Sequence, residues 1–144
     1  MRIKPYSRKV DYYETDQMGV VHHSNYIRWF EEARLDYMDQ AGLSYAQMEE
    51  SGLVGPVLSC SCTYKKAVRF PQRVTIDTLL VEFTGMRFRM VYQVLVEGEK
   101  QPVAVGETTH CFTDKEMTPV RLDKRNPEIY DRMLALIVEH AVGE

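Results

Sequence analysis

Long apolar runs are missing from this sequence, and no stretch approaches the roughly eighteen consecutive apolar residues of a membrane-spanning helix. The opening MRIKPYSRKV carries basic residues with no apolar run behind them, so a secretory signal is not expected either. Cysteine is scarce: Cys60, Cys62 and Cys111 are an odd number without C-x-x-C spacing, which argues against a disulfide framework and for a reducing compartment, the cytoplasm. A dominant charge is missing as well. Lys plus Arg number 18 and Asp plus Glu 21, a net charge of 18 minus 21, or −3. No global excess would draw the chain to nucleic acid or to an anionic membrane, so any anion site must be local. Repeats, low-complexity tracts and linkers are absent too, and residues 1–144 read as one domain, large enough to bury a core without metal or disulfide staples.

What is present is a clear alternation of patterns. Ile3, Val10, Tyr12 and Tyr13 within residues 2–13 suggest an opening strand, with Pro5 suited to a sheet edge. Tyr26, Phe30, Ala33, Tyr37 and Ala41 recur at helical spacing, while Arg28, Glu31, Glu32 and Asp39 fall mostly elsewhere; Ser24 is the expected N-cap and Gly42 the stop. S-Y-A-Q from Ser44 predicts a capping box and a short helix ending near Gly52. Leu58, Cys60, Cys62 and Tyr64 then alternate with Ser59, Ser61 and Thr63, followed by RVTIDTLLVEF, RFRMVYQVLVE and PVAVGETTHCFT, four runs expected to form a meander. Asn126 and Pro127 open a last helix carrying Ile129, Met133, Leu136, Ile137 and His140. The class is α+β, with a sheet curling around one long central helix that Trp29 and Phe30 help to fill.

Between the first strand and that helix stands ETDQMGVVHHSNY. From Asp16 to Tyr26 it gives an aspartate, two residues, a glycine, a small apolar pair, histidines and an N-Y pair, after the lead-in YYETD. In this the chain resembles, over almost its whole length, the hotdog-fold acyl-CoA thioesterases of the 4-hydroxybenzoyl-CoA thioesterase type. One segment departs: in Y-K-K-A-V-R-F-P-Q-R-V, Pro71 and Gln72 stand about where the family has an acidic residue. The D-x-N-P-x-H run of the hotdog hydratases is absent. The resemblance implies an antiparallel sheet wrapped around the helix and hydrolysis of an acyl-CoA to free acid and coenzyme A. It implies no cofactor, coenzyme A being part of the substrate. It also implies a homodimer or tetramer in which the neighbour completes the active site. A non-catalytic module binding acyl-CoA or an acyl carrier protein is the alternative, and an acyl carrier protein is a possible partner for the enzyme too.

Thioester hydrolysis needs an oxygen nucleophile and donors for the oxyanion. By the resemblance Asp16 is the catalytic carboxylate, as nucleophile or general base, and the backbone amide around His23 the oxyanion donor. A helix starting near Ser24 directs free N–H groups and its positive dipole end at what precedes it, and Gly19 permits a tight turn. A carboxylate with a reference pKa of about 3.9 is a weak base, and as a nucleophile it would leave a tetrahedral adduct more readily than a thiolate whose thiol has a pKa of roughly 8.5. A proton from His23 would bias that partition. Gly19, Val20, Asn25 and Tyr26 are assigned to positioning, Asn25 and Tyr26 as parts of the helix start and its apolar stripe. His22 is expected to pack or face solvent, and Glu14 to be solvated or salt-bridged. No metal is expected, because Asp16, His22, His23 and His110 lack ligand spacing and H-E-x-x-H is absent.

Two basic stretches are candidates for the phosphates of coenzyme A. One is Gly85–Arg89, where Arg87 and Arg89 share a face and Phe88 opposes them; the other is Lys65, Lys66 and Arg69 with Arg73. The resemblance favours the first. It also places Ser59, Cys60 and Ser61 on a strand facing the acyl group across a subunit interface. Cys60 has no neighbouring histidine, and its strand setting suits a buried small residue rather than a nucleophile.

Overall fold

The structure is a computed structural model that describes residues 3–143, with side chains through residue 137. The His140 side chain of the predicted stripe lies outside the described residues. Strand β1 (Tyr6–Lys9) is followed by a 3₁₀ turn (Tyr12–Glu14), helix α1 (Ser24–Gln40), helix α2 (Tyr45–Glu50) and strand β2 (Val57–Tyr64). Strands β3 (Arg73–Phe83), β4 (Arg87–Val96) and β5 (Ala104–Cys111) come next, then helices α3 (Leu122–Arg125) and α4 (Pro127–Gly143). The opening strand is shorter than its polar and aromatic pattern suggested, because the chain turns at Asp11, whose N–H donates to Glu14 Oε1 at 2.8 Å.

All strands form one antiparallel sheet in the order β1-β3-β4-β5-β2. The meander therefore comprises β3, β4 and β5, and β2 is not its first strand but lies at the far edge against β5. Residues 65–72 can span the intervening strands, since three steps of about 4.8 Å are well within the reach of such a segment at about 3.3 Å per residue. Pro5 sits just before β1, at the other sheet edge.

One sheet face carries Val74, Ile76, Leu80, Phe88, Met90, Tyr92, Val94 and Ala104, all buried with Trp29, Phe30, Ala33 and Tyr37 of α1. The closest approach is at Gly106, where an added Cβ would stand 2.5 Å from both Phe30 Cε2 and the Ser61 carbonyl oxygen. Only glycine lets the helix sit this low on the sheet. Phe30 then stacks on Tyr92 with ring centroids 4.4 Å apart. This is the hotdog fold.

Local signals explain the helix ends. At the end of α1 the Gly42 N–H donates to Asp39 O and the Leu43 N–H to Met38 O at 2.8 Å, with Gly42 at φ 76°, a Schellman stop. Ser44 and Gln47 form the predicted reciprocal box at the start of α2. Asn126 Oδ1 accepts the Ile129 N–H at 3.2 Å ahead of α4. The N-terminus of α1 differs from expectation: Ser24 is already helical, His23 holds the cap position, and the Ser24 N–H donates to His22 Nδ1 at 3.2 Å. The Ser24 hydroxyl pairs with that same ring nitrogen at 2.8 Å and caps no later N–H of the helix.

Candidate active site

Asp16 opens a tight hairpin closed by the Thr15–Val21 bridge. Its N–H donates to Val20 O at 2.9 Å, its carbonyl accepts the Gly19 N–H at 3.0 Å, and its Oδ1 accepts the Met18 N–H at 2.8 Å. Gly19 is left-handed at φ 77°, as this turn requires. The carboxylate is thus oriented by its own backbone and only half-buried. Val20 bridges Arg69, and the Val21 N–H donates to Val68 O at 2.8 Å, so the hairpin is fastened to the segment after β2.

The chain then enters α1 through two exposed histidines whose rings stack 4.2 Å apart. The His23 carbonyl accepts the Tyr64 hydroxyl at 3.2 Å and the Tyr26 N–H at 3.2 Å, whereas its own N–H has no partner among the described residues. That N–H sits where the dipole of a 17-residue helix is most positive. Burial raises the Tyr64 hydroxyl above its ordinary pKa, with neighbouring Cys62 adding to the effect, so it remains a donor. Burial first, then Cys62 and Tyr64, push Tyr26 up to about 12. Tyr26 lies in the core, edge-on to Tyr64 at 4.9 Å.

Glu14 is the part of this region that sequence reasoning undervalued. Of its two expected states it takes the salt-bridged one, and it is buried: only 4% exposed, it accepts from Arg8 Nη2 at 2.7 Å, the Asp11 N–H at 2.8 Å and Trp29 Nε1 at 2.8 Å. Its carbonyl accepts Asn25 Nδ2 at 2.8 Å and the His22 N–H at 2.8 Å. With both carboxylate oxygens engaged, Glu14 ties β1, the hairpin and α1 together and leaves Asp16 as the accessible carboxylate. Tyr64 carried no signal for this role, because its tie to His23 joins residues far apart in the chain.

The remaining predicted residues lie on β2 or at the opposite end of the sheet. Ser59, Cys60 and Ser61 pair with Thr109, Thr108 and Glu107 on β5. Cys60 is exposed rather than buried, since β2 is an edge strand that nothing among the described residues covers beyond it. Arg87 and Arg89 do share a face opposite buried Phe88, but Arg89 is held by Glu82 at 2.9 Å and Glu107 at 3.1 Å. Pairing of Tyr64 with Ala104 and of Val57 with His110 sets Arg87 at the far end from Tyr64, about 23 Å along a strand of eight residues.

That far end has its own polar hub and a groove. His110 is fully buried, its ring stacked 4.5 Å from Phe88, with Nε2 2.8 Å from Thr108 Oγ1 and Nδ1 3.2 Å from Gly55 O. Burial first and the Arg34 cation second lower its pKa to about 4, against the opposing Gly55 bond. Above it opens a groove of about 560 Å³ whose walls include Arg34, Leu35, Met38, Leu53, Val57 and Phe88. Among the described residues no group of His, Cys, Asp and Glu is arranged to hold a metal ion.

The profile of the thioesterase-like superfamily matches residues 10–136. The chain belongs to this superfamily, the class of the hotdog thioesterases. A DHNA-CoA thioesterase structure from Staphylococcus aureus is 31% identical with a TM-score of 0.90, covering 97% of this chain and 94% of that one. A Thermus thermophilus protein of solved structure is 34% identical with a TM-score of 0.83, covering 92% and 96%. The 1,4-dihydroxy-2-naphthoyl-CoA hydrolase of Thermosynechococcus vestitus (strain NIES-2133 / IAM M-273 / BP-1) is 32% identical over 111 residues, 75% of this chain and 74% of that one.

Proposed function

We propose that the chain is an acyl-CoA thioesterase that hydrolyses its substrate to free acid and coenzyme A, with Asp16 as general base and the His23 N–H as oxyanion donor. The observation carrying this reading is an oriented, accessible carboxylate at a hairpin that leads into an unpartnered N–H at a helix N-terminus. Relatives named as hydrolases of CoA thioesters support it. Asp16 takes a proton from water, the water oxygen adds to the thioester carbon, and the oxyanion accepts from the His23 N–H. Collapse breaks the C–S bond, and the thiolate takes the proton back from Asp16. Direct attack by the carboxylate is disfavoured, because its adduct would expel the carboxylate in preference to the thiolate. The Tyr64 tie to the His23 carbonyl supports the helix start that presents this N–H.

The working unit in this reading is a homodimer. Edge strand β2 exposes Val57, Leu58 and Tyr64 at 49%, 49% and 46%. Antiparallel pairing of β2 with a second copy covers them and sets the Tyr64 end of one subunit beside the Val57 end of the other. The 560 Å³ groove of the partner then receives the acyl group delivered to Asp16. The three cysteines are free, and no helix among the described residues is long and apolar enough to cross a membrane, in keeping with the proposed cytoplasmic setting.

The test is free-thiol release from short, long and aromatic acyl-CoA esters by the wild-type protein. Turnover of one class supports the enzyme. Tight binding of the esters without thiol release would leave the non-catalytic binding module as the better account.

A further inference from the structure

We propose that Arg34 is a specificity residue of the 560 Å³ groove, and that the acyl group it selects ends in a carboxylate rather than in plain hydrocarbon. This inference rests on the thioesterase reading, in which the groove of one subunit receives the acyl group delivered to Asp16 of the other, and it adds the chemical class of that group. Two arginines of nearly equal burial carry it by contrast. Arg8 leaves 12% of its side chain exposed and is surrounded by acceptors: Glu14 at 2.7 Å, Glu32 at 2.9 and 3.0 Å, and Asp11 at 3.1 Å. Arg34 leaves 14% exposed, yet no carboxylate among the described residues lies within hydrogen-bonding distance of it. The one it approaches, Glu31, stands 3.9 Å away and is itself 65% exposed.

A guanidinium carries five N–H donors and no acceptor, so withdrawing it from water is costly unless oxygens receive those donors. The polar neighbours Arg34 does have belong to the buried hub. They are the Tyr92 hydroxyl, which Thr108 Oγ1 already engages at 2.7 Å, and the His110 ring, whose two nitrogens are taken by Thr108 and Gly55. The groove supplies the second observation. Its walls are mainly apolar, with Leu35, Met38, Leu53 and Phe88, and of the charged residues lining it Glu31, Glu49 and Lys115 are exposed. Arg34 alone among these charges is withdrawn from water, because α1 lays Phe30, Ala33 and Tyr37 on the sheet and leaves position 34 at the margin of that stripe. An alkyl chain would fill the apolar walls and leave the guanidinium without acceptors. A carboxylate at the end of the chain would accept two parallel N–H bonds from its fork.

The experiment compares kcat/KM for coenzyme A esters of equal chain length with and without a terminal carboxylate: adipyl against hexanoyl, and glutaryl against pentanoyl. Wild type is expected to favour the carboxyacyl member of at least one pair about tenfold or more. Arg34→Met is expected to abolish that preference while turnover of the alkyl esters persists, and Arg34→Lys to keep part of it. Glu31→Gln, which removes the competing carboxylate, is expected to raise the preference about two- to threefold. A wild type that favours the alkyl member of both pairs or treats the members alike would overturn the proposal. So would a preference that survives Arg34→Met, or an Arg34→Met variant that slows both members equally, as a merely structural role would. Should the wild type release no thiol from any ester, the thioesterase reading fails. Calorimetry of adipyl-CoA and hexanoyl-CoA binding to wild type and Arg34→Met then decides the role of Arg34 by the same criterion.

Discussion

The two ends of the sheet are built for different work. At the Tyr64 end, polar groups are accessible and locally oriented: Asp16 by its own turn and the His23 N–H by the helix start. At the Val57 end, polar groups of the sheet are mutually satisfied: buried His110 on Thr108 and Gly55, Thr108 in turn on Tyr92, and the partly exposed Arg89 on two carboxylates. Accessible but oriented groups can meet substrate and change charge during a reaction, whereas a closed hub fixes the shape of a groove. In one chain the ends are separated by the length of β2, and in the proposed dimer a second copy brings them together.

The difference can be broken or sharpened by mutation. Asp16→Asn is expected to lower kcat about 10²- to 10⁴-fold while acyl-CoA binding persists, read as thiol release beside calorimetric affinity. Loss of binding in place of turnover would move Asp16 out of the chemistry.

At the other end the readout is stability. The folded pKa of His110, about 4, lies below the ordinary value of about 6.5, so the unfolded chain takes up the proton first. The stability from the neutral ring is fully present above pH ~6.5 and is lost as pH falls toward 4, a total of ~3 kcal/mol in denaturant titrations. His110→Gln is expected to flatten that slope.

Between the two ends, Gly106→Ala forces a methyl into Phe30 and the Ser61 carbonyl and is expected to cost about 2 kcal/mol of stability, measured by thermal unfolding. The smallest effect belongs to Tyr64→Phe. Losing its bond to the His23 carbonyl is expected to lower kcat several-fold, and the melting temperature by no more than the few degrees that about 1 kcal/mol of stability represents.

Most of the fold was legible because its signals are local. The stripe of α1, the Gly42 stop, the Ser44–Gln47 box and the Asn126–Pro127 start each need only a few neighbouring residues. The partner of β2 was not legible, since Cys60 and Thr108 meet across the sheet and no short-range pattern says which edge a strand will take. The site divides in the same way. Asp16 and Gly19 stand in one short motif, but burial of Glu14 depends on Arg8 and Trp29 arriving from β1 and α1. The exposure of Cys60 likewise follows from sheet order and not from its alternating neighbours.

The central claim is that the chemical end of one subunit works with the groove end of another. Subunit mixing tests it most directly: Asp16→Asn is unfolded and refolded together with Leu35→Trp, a variant that fills the groove from an exposed position. Each variant alone is expected to be nearly inactive. The mixture is predicted to regain about one quarter of wild-type turnover, because half of the dimers are mixed and each of these has one intact composite site. A mixture that forms dimers yet stays as inactive as its parents would contradict the account and confine the whole site to a single chain.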